Sequence, residues 1–320
     1  MYLPGALSSL LAQDRKGFPS MTNRKMSGCA LVCAALIFAL SMPSASAQPS
    51  KAAEPLKIGM VKTFFHDLPD VVVKIVTEPF GELMKQTTGL DGALSIGADA
   101  FGAAAQLNAD QLQFGVFHGH EFAWVQMKYP NLKPLMVVAN RQHDVRAFVV
   151  VHKNSPAEKW ADLRGKIIDV PAQTKEHCRV YLGRHCGDNA HNDPKAFFAK
   201  VDRSESFVDA LDGVCKGNAQ AAMVDSITLA FYKDIKGPCF AKNLRVFKQS
   251  DAFPPAVIVY KQGALPSATL NQFRDGLLKA HKNPVGADMM KMWSIDGFEL
   301  PPENFSQMLA DTLKTYPSPR

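Results

Sequence analysis

Short apolar runs alternate with amphipathic stretches along nearly the whole chain beyond residue 55, and a layered α/β fold is the arrangement that buries both. LKIGMVK (56–62), GALSIG (92–97), QFGVF (113–117) and LKPLMVVA (132–139) read as strands. Between them, 69–88, ADAFGAAAQLNA and HEFAWVQMKY (120–129) carry apolar residues at i, i+3, i+4 spacing, and Pro130 stops the last. Strands alternating with helices in this way predict a parallel, doubly wound sheet. A second alternation follows, with strands KIIDV (166–170), AQAAMVD (219–225) and NLRVFK (243–248). Its helices are expected from about 175, over 204–216 and over 226–235. Three helical patterns near 266–281, 284–293 and 302–315 close the chain.

Two long extended pieces, VRAFVVVHK (145–153) and AFPPAVIVYK (252–261), join these units. The pattern predicts two lobes, residues 55–145 with 253–320 and residues 146–252, with a cleft between them. Ligands of open α/β sheets bind outside the carboxyl ends of the strands. The segments to examine are therefore Thr63–Asp67, Ala98–Asp99, His118–Glu121, Asn140–Asp144, Pro171–Lys175 and Asp225–Ser226.

The 320 residues are 47% apolar and 21% charged, the balance of a globular protein. The net charge of +6 is too mild to point to nucleic acid, and no basic patch is interleaved with aromatics. No G-x-S-x-G, P-loop, H-E-x-x-H or helix-opening G-x-G-x-x-G occurs, so an enzyme is not expected and no cofactor is called for.

Arg24 and Lys25 precede the apolar run 28–42, which is followed by Pro43 and the small residues Ser44–Ala47. This is the pattern of a secretory signal peptide over 1–47, cleaved after Ala47, with Met21 or Met26 as alternative starts. The run is shorter than the ~20 residues a spanning helix needs. Periplasmic export leaves Cys178, Cys186, Cys215 and Cys239 in an oxidising compartment, where an even count predicts two disulfides. Cys178–Cys186 with Cys215–Cys239 is the most local of three pairings.

Several segments together resemble the periplasmic phosphate/phosphite/phosphonate-binding proteins of ABC importers, within the type 2 periplasmic-binding fold. LKIGMVK is similar to that family's first strand, and QFGVFHGHEFAW to its third strand and following turn. AEKWADLRGKIIDV resembles its most recognisable stretch. KGNAQAAMVDS resembles a further one, with Gln220 where an Asp is usual, and NLRVFKQSDAFPPAVIVYK resembles the second crossing. The resemblance covers nearly all of 55–315. It implies two lobes that close on a small oxyanion and deliver it to an inner-membrane permease, with the protein a monomer. One stretch departs. The family's Ser-Thr-Ser-Gly turn holds phosphonate oxygens at a helix N-terminus. Here the turn is Pro171-Ala172-Gln173-Thr174-Lys175-Glu176, in which only Thr174 carries a hydroxyl. A helix N-terminus still offers free N–H groups, and Lys175 adds a cation while Glu176 adds a carboxyl group.

Each candidate site residue has a plainer alternative. Thr63, Phe64 and His66 form one wall of the cleft, or Phe64 is core. His118, Gly119 and His120 hold a ligand, with Gly119 letting backbone approach it, or one His caps the helix and another is exposed. Taken together, His66, His118 and His120 are also the donor set of an alternative metal or metal-chelate site. Arg141, with His143 and Arg146, clamps an oxyanion or is surface charge. Gln173, Thr174 and Lys175 form the altered anion turn. Asp225 and Ser226 face the ligand, cap the next helix, or do both. Ser204 and Ser206 cap a helix or touch the ligand. Trp124 and Met127 read as core. A periplasmic sensor lobe signalling to a membrane kinase is a further alternative on the same fold.

Overall fold

The structure is a computed structural model that describes residues 54–140, 145–186 and 193–319. The expected signal peptide and its cleavage site at Ala47 lie outside the described residues, as do Arg141 and His143. β1 (Leu56–Met60) leads through a 3₁₀ turn (Lys62–Phe65) into α1 (Asp70–Thr77) and α2 (Pro79–Thr88). β2 (Gly92–Ile96), α3 (Ala100–Asn108), β3 (Phe114–Phe117), α4 (Gly119–Lys128) and β4 (Leu132–Ala139) follow. Next come β5 (Ala147–His152), β6 (Ile167–Asp169), α5 (Glu176–Cys186), α6 (Pro194–Phe197), β7 (Lys200–Asp202), α7 (Phe207–Cys215), β8 (Ala221–Asp225), α8 (Ser226–Asn243) and β9 (Leu244–Gln249). The chain ends with β10 (Val257–Lys261), α9 (Ser267–Leu278), α10 (Pro284–Trp293), β11 (Gly297–Glu299) and α11 (Phe305–Thr315).

These strands form two sheets, ordered β11-β4-β10-β3-β1-β2 and β7-β6-β8-β5-β9. Both are mostly parallel, and each carries an antiparallel strand in its interior. β10 lies between β3 and β4, and β5 between β8 and β9. The register gives the reason: Ala147 opens β5 opposite Asp225 at the end of β8, and Val257 opens β10 opposite Phe117 at the end of β3. A strand that enters a sheet from the cleft, where the βα units end, can only run against them. The two crossings touch at a bridge between Val145 and Phe253, with the Phe253 N–H donating to the Val145 carbonyl at 2.8 Å.

Central strands are buried on both faces, as the apolar runs require. Val149 and Val151 face one core of the second sheet and Val150 the other. In the first sheet Val61, Phe117, Val137, Val257 and Val259 pack against α3, α4 and α11. Ile58, Met60, Val116 and Ile258 take the opposite face. The helix expected over 69–88 is two helices, because Pro79 has no N–H to donate and starts a new one. α8 runs past 235 to Asn243, with a break at Lys236 just before Pro238. β7, β11 and α6 are too short for any periodicity to reveal. Trp124 is core, its Nε1 donating to the Tyr316 carbonyl at 2.8 Å, but Met127 is 70% exposed.

The disulfide expectation is corrected. All four cysteines of the described residues are free thiols. Cys178 and Cys186 lie eight positions apart on α5, which at 1.5 Å per residue is about 12 Å, too far to bridge. Cys215 and Cys239 lie with their sulfurs 3.5 Å apart, without a bond.

Candidate functional site

The carboxyl ends of β1, β3 and β8 and the turn after β6 open onto one cavity of about 170 Å³. Its first wall is built around the N-terminus of α4. His118 is the N-cap residue but makes no side-chain cap bond. Glu121, in the first turn, bonds instead to the end of β1: its Oε1 accepts the Thr63 hydroxyl at 2.9 Å. The His118 ring stacks on Phe64, centroids 3.9 Å apart. His118 and His120 lie 5.4 Å apart, ring over ring. The Nε2 atoms of both are buried with no hydrogen-bond partner, and both residues line the cavity.

The opposite wall is the turn that begins α5. Gln173 sits at φ +62°, a left-handed conformation. The Thr174 hydroxyl donates to the Pro171 carbonyl at 2.6 Å and so closes the turn rather than facing a ligand. Lys175 Nζ lies 3.5 Å from Asp225 Oδ2. Asp225 caps α8, its Oδ1 accepting from Ile227 and Thr228 at 2.8 and 2.9 Å. Asp225 is thus a cap, and it also lines the cavity. Ser226 exchanges bonds with the Arg146 backbone, and Arg146 Nη1 donates to the Ser250 carbonyl, so these two residues pin the crossing. Ser206 caps α7, while the Ser204 hydroxyl donates to Asp169.

Two contacts join the walls. His66 Nε2 lies 2.6 Å from Glu176 Oε2. Asp67 Oδ2 accepts from Arg179 Nη2 at 2.8 Å and from Arg203. The two sides are thus held together at the cavity mouth.

Burial sets the charge inside. It pushes His120 down to about 3 and His177 down to about 4, and it lowers His118 well below the ordinary range, so all three imidazoles are neutral at pH 7. Burial, reinforced by Glu176, raises Glu121 to about 8, and this carboxyl keeps its proton there. Burial alone would raise Asp225 too, but Lys175, His177 and the Thr228 N–H outweigh it and hold it below its usual value.

Several expectations change. The space above Gly119 is filled by the Pro254 backbone, where a Cβ would meet the Pro254 oxygen at 2.4 Å. The glycine serves the crossing rather than a ligand. His66 pairs with Glu176 and does not converge with His118 and His120; among the described residues no group of three or more His, Cys, Asp or Glu is arranged to hold a metal ion. Thr63, Phe64, His66, His118, His120, Gln173, Thr174, Lys175, Asp225 and Ser226 do line one cavity. Sequence reasoning missed His177, which lines it from α5, and the joining role of Asp67, Arg179 and Arg203. It also missed the depth of the cavity, which passes the polar mouth and reaches the face of the first sheet under α2, α9 and α10.

No curated protein sequence matches the chain. Among solved structures it is similar to XAC2383 from Xanthomonas citri bound to ATP, at TM-score 0.55 and 16% identity, covering 82% of this chain and 96% of that one. It is similar to PhnD1 from Prochlorococcus marinus in complex with methylphosphonate, at TM-score 0.54 and 13% identity, covering 81% and 97%. A binding-protein component of an ABC phosphonate transporter from Pseudomonas aeruginosa gives TM-score 0.53 and 15% identity, covering 82% and 87%. At these identities the likeness establishes the fold, a two-lobed type 2 periplasmic-binding protein. Residues 64–303, three quarters of the chain, match the family described as ABC transporter, phosphonate, periplasmic substrate-binding protein. Members of this family carry a small molecule to a membrane permease and catalyse no reaction, and among the described residues no helix is long and apolar enough to cross a membrane. The chain belongs to the periplasmic substrate-binding proteins of ABC phosphonate transporters.

Proposed function

We propose that this protein binds a small phosphorus oxyanion, of the phosphate, phosphite or phosphonate class, and delivers it to an ABC permease by hinge closure. Residues 55–145 with 253–320 act as one lobe and 146–252 as the other, and the crossings at Val145 and Phe253 act as the hinge. One observation carries the reading. The N-terminus of α5 and Lys175 face the same cavity as two buried imidazole nitrogens that have no partner. First-turn N–H groups and a lysine attract an oxyanion. A neutral imidazole carries one acceptor nitrogen, and an unpartnered Nε2 of His118 or His120 in that role accepts from a P–OH group. The protonated state of Glu121 removes a charge that would repel such a ligand.

Thermal unfolding of the purified protein with phosphate, phosphite, methylphosphonate or sulfate tests this. A ligand at 100 times its Kd raises stability by about 2.7 kcal/mol. The expected result is a raised midpoint with a phosphorus oxyanion, and at least about tenfold weaker binding in Lys175→Ala. No shift with any phosphorus oxyanion overturns the proposal.

A further inference from the structure

Behind its polar mouth the cavity has an apolar floor that no inorganic oxyanion fills. Met60, Val116 and Ile258 stand side by side in register on three adjacent strands, and all three side chains point to the face opposite the α3/α4 core. Phe80 of α2, Phe273 of α9 and Trp293 of α10 line the same cavity. Polar groups gather at the mouth, on the strand ends and the α5 turn. The floor is continuous with that mouth, so a molecule held by its charged end at Lys175 extends its remainder over a mostly apolar surface.

We propose, building on the oxyanion reading above, that the ligand is an organic oxyanion whose apolar substituent, the size of a short alkyl chain, occupies this floor. The volume sets the size. A cavity of about 150 Å³ lined by aliphatic and aromatic side chains accepts benzene, and the whole cavity here is about 170 Å³ and takes the charged head as well, so the substituent is smaller than a benzene ring. An apolar void of this kind stays dry, so a substituent that enters it displaces little ordered water and leaves no polar group unpaired. Phosphate and phosphite would leave the floor empty.

The test is a calorimetric affinity series on the full wild-type protein with methylphosphonate, n-butylphosphonate, phenylphosphonate, butanesulfonate and benzenesulfonate. Each methylene placed in an apolar pocket is worth roughly tenfold or more. The expected result is that n-butylphosphonate binds at least about tenfold more tightly than methylphosphonate. Val116→Phe, which fills the floor, should bring that ratio to about one, with the circular-dichroism spectrum checking that the variant is folded. Should the variant not fold, the wild-type series decides. Methylphosphonate binding as tightly as the larger phosphonates overturns this inference and leaves the oxyanion reading standing. Sulfonates binding in the same size order while all phosphonates fail supports the apolar floor and overturns the phosphorus reading. If none of the five binds, both fall.

Discussion

The Thr63 hydroxyl donates to Glu121 Oε1 at 2.9 Å, joining the end of β1 to the first turn of α4 through a carboxyl group that is only 3% exposed. This bond places a titratable group inside the cavity wall, where its proton affects the stability of the whole protein.

The stability of the ligand-free protein should therefore peak near pH 6.5. The unfolded chain protonates its histidines below 6.5, while folded His120 and His177 resist until about 3 and 4. The unfolded state then binds more protons, and stability falls as pH drops. Glu121 acts in the opposite sense. Folded, it keeps its proton to about 8, while unfolded it loses it at 4.5, so stability falls as pH rises between these values. Each group changes stability by about 1.4 kcal/mol per pH unit inside its window. Below 6.5 the histidines outweigh one carboxyl; above 6.5 Glu121 acts alone. Melting curves from pH 4 to 8 should show the maximum, and Glu121→Gln should flatten the alkaline limb. A wild-type midpoint rising steadily to pH 8 contradicts this assignment.

Asp67→Asn should loosen the closed form. Its carboxylate holds Arg179 and Arg203 across the mouth, with all three partly exposed. Such pairs are worth up to roughly 1 kcal/mol, about a fivefold change in the ratio of open to closed molecules. Small-angle scattering of the ligand-free variant should give a larger radius of gyration than wild type. An unchanged radius would show that these pairs do not set the opening equilibrium.

Gly119→Ala should destabilise the protein by about 1–3 kcal/mol, the cost of overpacking against a backbone that cannot swing away. The obstacle is the Pro254 carbonyl on the second crossing. Denaturant unfolding measures it, and a variant as stable as wild type would mean that the crossing shifts freely.

Asp225→Ala should cost about 1 kcal/mol through the lost cap on α8, and Asp225→Asn should recover most of it, because an amide oxygen still accepts from Ile227 and Thr228. Both variants free Lys175 from its carboxylate partner. Oxyanion affinity should therefore rise in both, while stability separates them. Equal stability in the two variants would argue against the cap.

What could be read from the sequence was whatever local pattern encodes. LKIGM is a strand by its alternation, and Asp225 before Ser-Ile-Thr marks a helix start, so the strand ends were located and ten of the site residues with them. What joins distant segments was not legible. Asp67 meets Arg203 from 136 positions away, and Gly119 meets Pro254 rather than a ligand. His177 follows Lys175 and Glu176, and three polar residues in a row look like a solvated turn. The apolar floor leaves no trace in pattern either. Met60, Val116 and Ile258 occupy ordinary core positions, and a void is volume that other side chains fail to fill. The polarity of β10 left no mark in pattern either, because it follows from where the chain enters the sheet.

That placement of β10 also governs the order of assembly in time. The second sheet is drawn wholly from a continuous stretch, Ala147 to Gln249, and has all its strands once that stretch exists. The first cannot bring β3 and β4 together until Val257–Lys261 arrives to lie between them. During synthesis the amino-terminal strands must wait, incomplete, for a segment made more than a hundred residues later. The half of the protein encoded first is thus the half that finishes last, and a chain cut before Val257 has every strand of the second sheet but lacks the one that joins β3 to β4 in the first.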